Sequence, residues 1–170
     1  KGKVTPEDIG TLFAGDLLNQ CIGSAYGLQS FGIPYIGLYG ACSTCAESIL
    51  LSSVMVSHGI CNVAAAVTSS HYCSAERQYR TPLEYGAQRA PTAQWTVTGA
   101  GAFLLRGLTK EKNTSEGNAV VTRCVIGRVQ DSGVSDAANM GAVMAIAAAD
   151  TIERHLNDLK IKPDYYDLIL

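Results

Sequence analysis

A chain of 170 residues that is 47% hydrophobic and only 16% charged is long enough to bury a core without disulfides and too apolar to be disordered. Its 13 Lys and Arg nearly balance 15 Asp and Glu, for a formal net charge of -2, and no basic block stands out, which argues against nucleic acid as the main partner. No run reaches the ~18 apolar residues of a spanning helix, and the opening KGKVTPEDIG has no hydrophobic signal region, so a soluble chain is expected, one that meets a membrane through partners if it meets one at all.

Short apolar runs punctuated by glycine and proline mark the elements in turn. Residues 9–14 (IGTLFA) are expected as a strand buried on both faces, as in a parallel sheet. A helix over 17–31 follows, stopped by Gly32-Ile33-Pro34. Residues 35–39 form a second strand and 41–58 a second helix, with Gly59 as its left-handed stop and His58 in the last turn, at the negative end of the dipole. VAAAVT (63–68) is a third buried strand. Residues 69–95 show weak periodicity and many polar groups, and so long a connection is usually functional or mobile. Residues 97–105 read as a strand, KEKNTSEG (110–117) as a surface hairpin loop or boundary, and 119–130 as a longer strand. A long helix is expected over 136–159, capped by Asp136, with Arg154 and Lys160 near its negative end, and 166–170 begin another strand. Alternating strands and helices predict an α/β fold with a mostly parallel sheet.

TPEDIGTLF (5–13) and KPDYYDLIL (162–170) match in register, pairing Pro6 with Pro163, Glu7 with Asp164, Leu12 with Ile169 and Phe13 with Leu170. The match is short enough to arise by chance, or it marks an internal duplication about 157 residues apart with the chain ending inside the second copy.

The six cysteines (Cys21, Cys42, Cys45, Cys61, Cys73 and Cys124) are irregularly spaced in apolar surroundings, which fits buried free thiols in a reducing compartment better than a disulfide scaffold. GACSTC (40–45) stands where a strand gives way to a helix. A thiol at a helix start meets unpaired N–H groups and the positive end of the dipole, which favour the thiolate. Cys42 is expected close to the first helical position, with Cys45 packing one turn further in. Four readings stand: a redox dithiol, without the usual neighbouring aromatic residue; half a zinc site, with only Cys61, His71 and Cys73 to complete it; core cysteines; or a single nucleophile, Cys42, on a strand-to-helix turn. His58 and His155 are expected as structural residues, the second on an exposed helix face. His71 ends a buried parallel strand, where open α/β sheets place ligands.

The order G-A-C-S, a small-residue helix, VAAAVTSSH and then TVTGAGAFLL is similar to that of thiolase-fold proteins, in which the nucleophilic cysteine follows an A-C step at the start of a central helix. More closely, AGDLLNQ (14–20), YGACST (39–44), AVTSSH (66–71), AERQYR (75–80), PLEYGAQ (82–88), TVTGAGA (96–102), NMGAVMAIAAADTI (139–152) and DYYDLIL (164–170) resemble the stage V sporulation protein AD family along nearly the whole chain. The resemblance implies a thiolase-like fold with layered α/β/α sheets and duplicated halves, present here only in part. Residues 1–112 would be most of the first half without its opening strand, and 118–170 the beginning of the second. Because that opening strand is central in thiolase-fold proteins, residues 9–14 would lack a neighbour on one side. Residues 35–39 would be an edge that pairs across a homodimer.

The resemblance further implies a non-catalytic protein that binds dipicolinic acid, or its calcium chelate, for uptake during sporulation and release in germination. It would sit peripherally on the cytoplasmic face of the forespore or spore inner membrane with other SpoVA proteins, and it implies no cofactor and no metal site. Dipicolinate is a planar dianion suited to guanidinium forks, helix-start N–H groups and an aromatic or apolar wall. The candidates are Cys42, Ser43, His71, Arg77, Arg80, Gly99 and Gly101, with Tyr72 and Tyr79 near the arginines. Arg77 and Arg80 serve equally as surface partners of Glu76 or Glu84, and Gly99 and Gly101 as a tight strand entry. The alternative is an acyltransferase or condensing enzyme with Cys42 as nucleophile, its oxyanion and proton-transfer groups supplied by the second half.

Overall fold

The computed structural model describes residues 4–18, 21–71, 96–108, 119–136 and 139–169. The chain divides into two compact units, Lys1–Ala119 and Val120–Leu170.

The first unit is built around β1 (Thr11–Gly15), whose five residues are all buried. It runs parallel to β2 (Tyr35–Gly37) on one side and to β3 (Val63–Ser70) on the other, with Phe13 opposite both Ile36 and Ala66. β4 (Gly99–Arg106) closes the order β2-β1-β3-β4 by pairing antiparallel to β3, from Val63 opposite Arg106 to Ser70 opposite Gly99. The α/β class is as expected, although the sheet is mixed. The expectation that the first strand lacks a neighbour on one side does not hold. A buried strand must satisfy N–H and C=O groups along both edges, and the small side chains Ala64, Ala65 and Ala66 bring β3 alongside it.

Two helices cover this sheet. α1 (Ile22–Leu28) runs on into a 3-10 turn, Gln29–Phe31, that ends at Gly32 with φ +64. It is shorter than the expected 17–31, because Asp16 takes the Leu18 amide into a turn before the helix and accepts from the Ser24 amide in the helix's first turn. α2 (Thr44–Ser57) packs on β3, β1 and β4. Thr44, Ser48 and Ser52, one helical turn apart, are its fully buried side chains. Short hydroxyl side chains let the helix lie close to the strands. Ser48 Oγ donates to the Cys45 carbonyl at 3.0 Å, which settles its own hydrogen bond within the helix. His58 caps the helix, its Nδ1 3.0 Å from the Val54 carbonyl, and Gly59 follows at φ +68.

The second unit carries α3 (Met140–Leu159). The helix starts four residues later than expected. Asn139 caps it, Oδ1 accepting from the Ala142 amide at 3.3 Å, while the Asp136 carbonyl accepts from the Asn139 amide at 3.0 Å in the preceding turn. Arg128 donates to Asp150 at 2.8 Å and holds that carboxyl below its ordinary range. The expected strands over 119–130 and 166–170 do not form among the described residues. Alternation alone makes no strand where no ladder partner is present, and Ile126 and Val129 stand exposed. The two segments aligned in sequence do share a conformation. Pro6–Asp8 and Pro163–Tyr165 are both 3-10 turns entered from extended residues, Thr5 at φ -97, ψ 162 and Lys162 at φ -95, ψ 161.

One contact locks β1 to the segment leaving β2. A Cβ on Gly15 would stand 2.4 Å from the Leu38 carbonyl oxygen and 2.9 Å from Thr44 Cγ2. Gly15→Ala is therefore expected to destabilise the protein by about 1–3 kcal/mol, the usual cost of overpacking against backbone, read as a fall in the urea midpoint at unchanged slope.

Candidate functional site at the carboxyl edge of the sheet

The connection β1–α1–β2 steps to one side of β1, and β2–α2–β3 crosses back to the other. Such a reversal opens a crevice at the carboxyl ends of the strands, where open α/β sheets take ligands. Three segments meet this edge: Gly15 ending β1 with Asp16 after it, Leu38 to Cys42 after β2, and His71 after β3. β4 runs the opposite way, so its first residues, from Gly99, lie at the same edge.

A buried polar network supports this edge. Asp16, 7% exposed, accepts from the Leu18 amide at 2.7 Å, the Ser24 amide at 2.6 Å and Ser24 Oγ at 2.7 Å. Ser24 Oγ lies 3.1 Å from Tyr35 Oη. With the serine proton given to Asp16, the tyrosine donates to the serine, and the chain ties edge strand β2 to the turn after β1. Burial is the main force raising the Tyr35 hydroxyl above its ordinary pKa, and likewise the Cys21 thiol. Cys21 therefore stays a neutral S–H donor, and it donates to the Leu38 carbonyl at 2.9 Å.

From Leu38 the chain reaches Cys42 through a strained turn. Ala41 holds φ +46, a left-handed conformation that costs a non-glycine residue about 1–2 kcal/mol. Ala41–Ser43 is a 3-10 turn, and α2 proper begins at Thr44. Cys42 is thus exposed just ahead of the helix and not on its first turn as expected. Ser43 occupies the N-cap, yet its hydroxyl does not cap. It donates backward to the Gly40 carbonyl at 2.8 Å, beside the Ser43 amide bond to the same oxygen at 2.9 Å. These two hydrogen bonds to one carbonyl close the turn. Gly40 has no room for a side chain, since a Cβ would stand 2.6 Å from Ser43 Oγ and 3.1 Å from the Thr44 amide.

The other candidates divide clearly. His71 is exposed directly after β3. Gly99 and Gly101 pair with Ser70 and Thr68, and an added Cβ would meet only ordinary contacts, Val97 Cγ1 at 3.6 Å and Thr68 Cγ2 at 3.9 Å. A tight strand entry therefore does not require glycine at either position. Arg77, Arg80, Tyr72, Tyr79 and Cys73 lie outside the described residues. Cys42 and Cys45 are both free thiols, as are Cys21, Cys61 and Cys124. Only Cys21 of these is buried, which corrects the expectation of buried cysteines. Among the described residues no group of three His, Cys, Asp or Glu has metal-holding geometry. His155 is half-buried and not on an exposed face: its Nε2 is 2.6 Å from Tyr166 Oη, with the rings stacked, in the wall of an open cavity of about 350 Å³ in the second unit.

The residues missed by sequence reasoning are Gly15, Asp16, Cys21, Ser24 and Tyr35, which hold the turn without standing on it. Their one legible sign is the Gly-Asp step directly after an apolar strand.

A family model described as stage V sporulation protein AD matches residues 1–170. The chain belongs to the stage V sporulation protein AD family. It is 44% identical over 170 residues to stage V sporulation protein AD of Bacillus subtilis (strain 168), a match that takes in the whole chain and 48% of that protein. The chain thus spans about half the length of the curated relative it matches. The α/β sheet is consistent with part of a thiolase-like fold, and no helix among the described residues is long and apolar enough to cross a membrane.

Asp16→Ala strips partners from the buried Ser24 amide and hydroxyl and from the part-buried Leu18 amide. A loss of about 3 kcal/mol is expected on that account, against about 1 kcal/mol for Ser24→Ala, both read by urea denaturation.

Proposed function

We propose that this protein binds dipicolinic acid, free or as its calcium chelate, without catalysis, serving its uptake during sporulation and its release in germination. Membership of a sporulation family supports the setting. The observation that carries the site is the convergence of the Cys42 turn, His71 and the two open glycines Gly99 and Gly101 on one carboxyl edge of the sheet. The N–H groups in the first turn of α2 supply donors for a carboxylate, and Ser43, whose hydroxyl and amide are both given to the Gly40 carbonyl, holds the turn that presents them. The open strand at Gly99 and Gly101 allows a planar ring to approach backbone closely. Arg77 and Arg80, in the connection that leaves this edge at His71, are the guanidinium candidates for the second carboxylate.

The same reading takes the first unit as most of one thiolase-like half and the second as the beginning of another, an assignment supported by the shared 3-10 turns at Pro6 and Pro163. The exposed edge of β2 serves a homodimer, and association with other SpoVA proteins holds the full-length protein peripherally at the cytoplasmic face of the spore inner membrane.

One observation favours a second reading. An exposed thiol beside a left-handed residue, on a turn between strand and helix, is placed as a nucleophile on such a turn would be. On that reading Cys42 accepts an acyl group from a thioester.

Calorimetry of the full-length protein with dipicolinate, with and without calcium, is expected to show saturable binding. No heat at millimolar ligand in either condition overturns the binding reading. Intact mass after incubation with a range of acyl-CoA thioesters is expected to show no adduct; one present on wild type and lost in Cys42→Ser establishes the enzyme instead.

A further inference from the structure

We infer that Cys21, which no part of the proposed site contains, is a positioning residue for the Cys42 turn. The inference rests on the reading of that turn as part of the ligand site. The Leu38 carbonyl is held from two directions. Gly15 abuts its oxygen so closely that a Cβ would stand 2.4 Å away, and Cys21 Sγ donates to the same oxygen at 2.9 Å across 17 residues of chain. The Leu38 amide donates in turn to the Ala14 carbonyl at 2.8 Å. Both polar groups of Leu38, itself 5% exposed, are therefore anchored to β1 and the segment after it. Four residues on stands Cys42, with the left-handed Ala41 between.

Cys21 is itself built into place. It is 5% exposed, and its own backbone holds φ +55, a second strained residue in the same small region. Its amide donates to the Leu18 carbonyl at 3.2 Å, and the Leu18 amide is held in turn by buried Asp16. Two non-glycine residues in the left-handed region, one at each end of the Leu38 contact, persist only where the surroundings over-determine them. A buried carbonyl that loses its donor moves to find another, and the residue with least hold on its conformation is Ala41. Loss of the thiol donor thus reaches Cys42 through the turn, while the sheet and α2 stay in place.

The test uses the full-length protein carrying Cys21→Ala, which removes the donor, and Cys21→Ser, which keeps one. Three quantities are read: the urea midpoint, the rate of Cys42 alkylation by iodoacetamide followed by peptide mass, and dipicolinate affinity. The alanine variant is expected to change the Cys42 rate by about threefold or more and to weaken dipicolinate about three- to tenfold. The serine variant is expected to bring both within about twofold of wild type, a smaller residual than the lost bond. A merely structural role would move the midpoint and leave the Cys42 rate as it is; that result overturns the inference, as does a serine variant no better than alanine. If wild type fails to bind dipicolinate the functional reading falls, and the alkylation rates still decide the role of Cys21. Should the alanine variant not fold, Cys21→Gly, which suits φ +55, carries the same comparison.

Discussion

The close approach of Gly15 to the Leu38 carbonyl is the constraint on which the first unit turns. It joins the end of the central strand to the segment leaving its neighbour, and it sets Thr44, the first residue of α2, against the same glycine. Without a Cβ at this position the backbone of Leu38 packs directly over β1, its amide donating to Ala14 there and its carbonyl accepting from Cys21 just ahead of α1. The Asp16 network then serves a purely geometric purpose. Three hydrogen bonds to a buried carboxylate fix the route of the chain from Gly15 through Cys21 to α1, so that the thiol arrives under Leu38. The exposed Cys42 turn is consequently held by residues that never reach it.

Much of this architecture is written in the sequence. IGTLFA and VAAAVT are continuous apolar runs, the pattern of strands covered on both faces, and they become the two central strands. Gly59 ends α2 as a left-handed residue, as a glycine after an apolar helix should. Where the reading falls short, the cause is a tertiary contact or a local competition. Leu17 and Leu18 look helical, but the Asp16 side chain captures the amide two residues on and delays α1. Asp136 and Asn139 are both good caps, and the one nearer the apolar periodicity wins. Residues 119–130 alternate like a strand, but alternation specifies a face and not a partner, and no strand among the described residues pairs with them.

The site shows the same division. His71 follows an apolar strand, Gly99 opens one with Gly101 just inside it, and Cys42 stands in the connection from β2 to α2, so the α/β pattern alone brings them to one edge of the sheet. The groups that support them are silent in sequence. A cysteine, a serine and a tyrosine scattered over Cys21 to Tyr35 carry no spacing signal, and their relation exists only once β1 and β2 lie side by side. The inverted polarity of α2 is a further case. Thr44, Ser48 and Ser52 face the sheet while Val54 is exposed and Ile49 and Met55 are half-covered, so a helix-period pattern points the wrong way. A helix that is apolar away from its own sheet suits burial on both sides, in a family whose curated relative is about twice as long as this chain.

The central claim is that the edge carrying Cys42 is where the ligand sits, and protection of thiols tests it most directly. In the full-length protein, Cys42 and Cys124 are both exposed in their units and offer an internal comparison. Saturating dipicolinate is expected to slow iodoacetamide modification of Cys42 about tenfold or more, as occupancy of a bound site requires, while Cys124 reacts at its free rate. Unchanged modification of Cys42 at ligand concentrations that saturate the calorimetric signal would contradict the account and move the binding site elsewhere in the molecule.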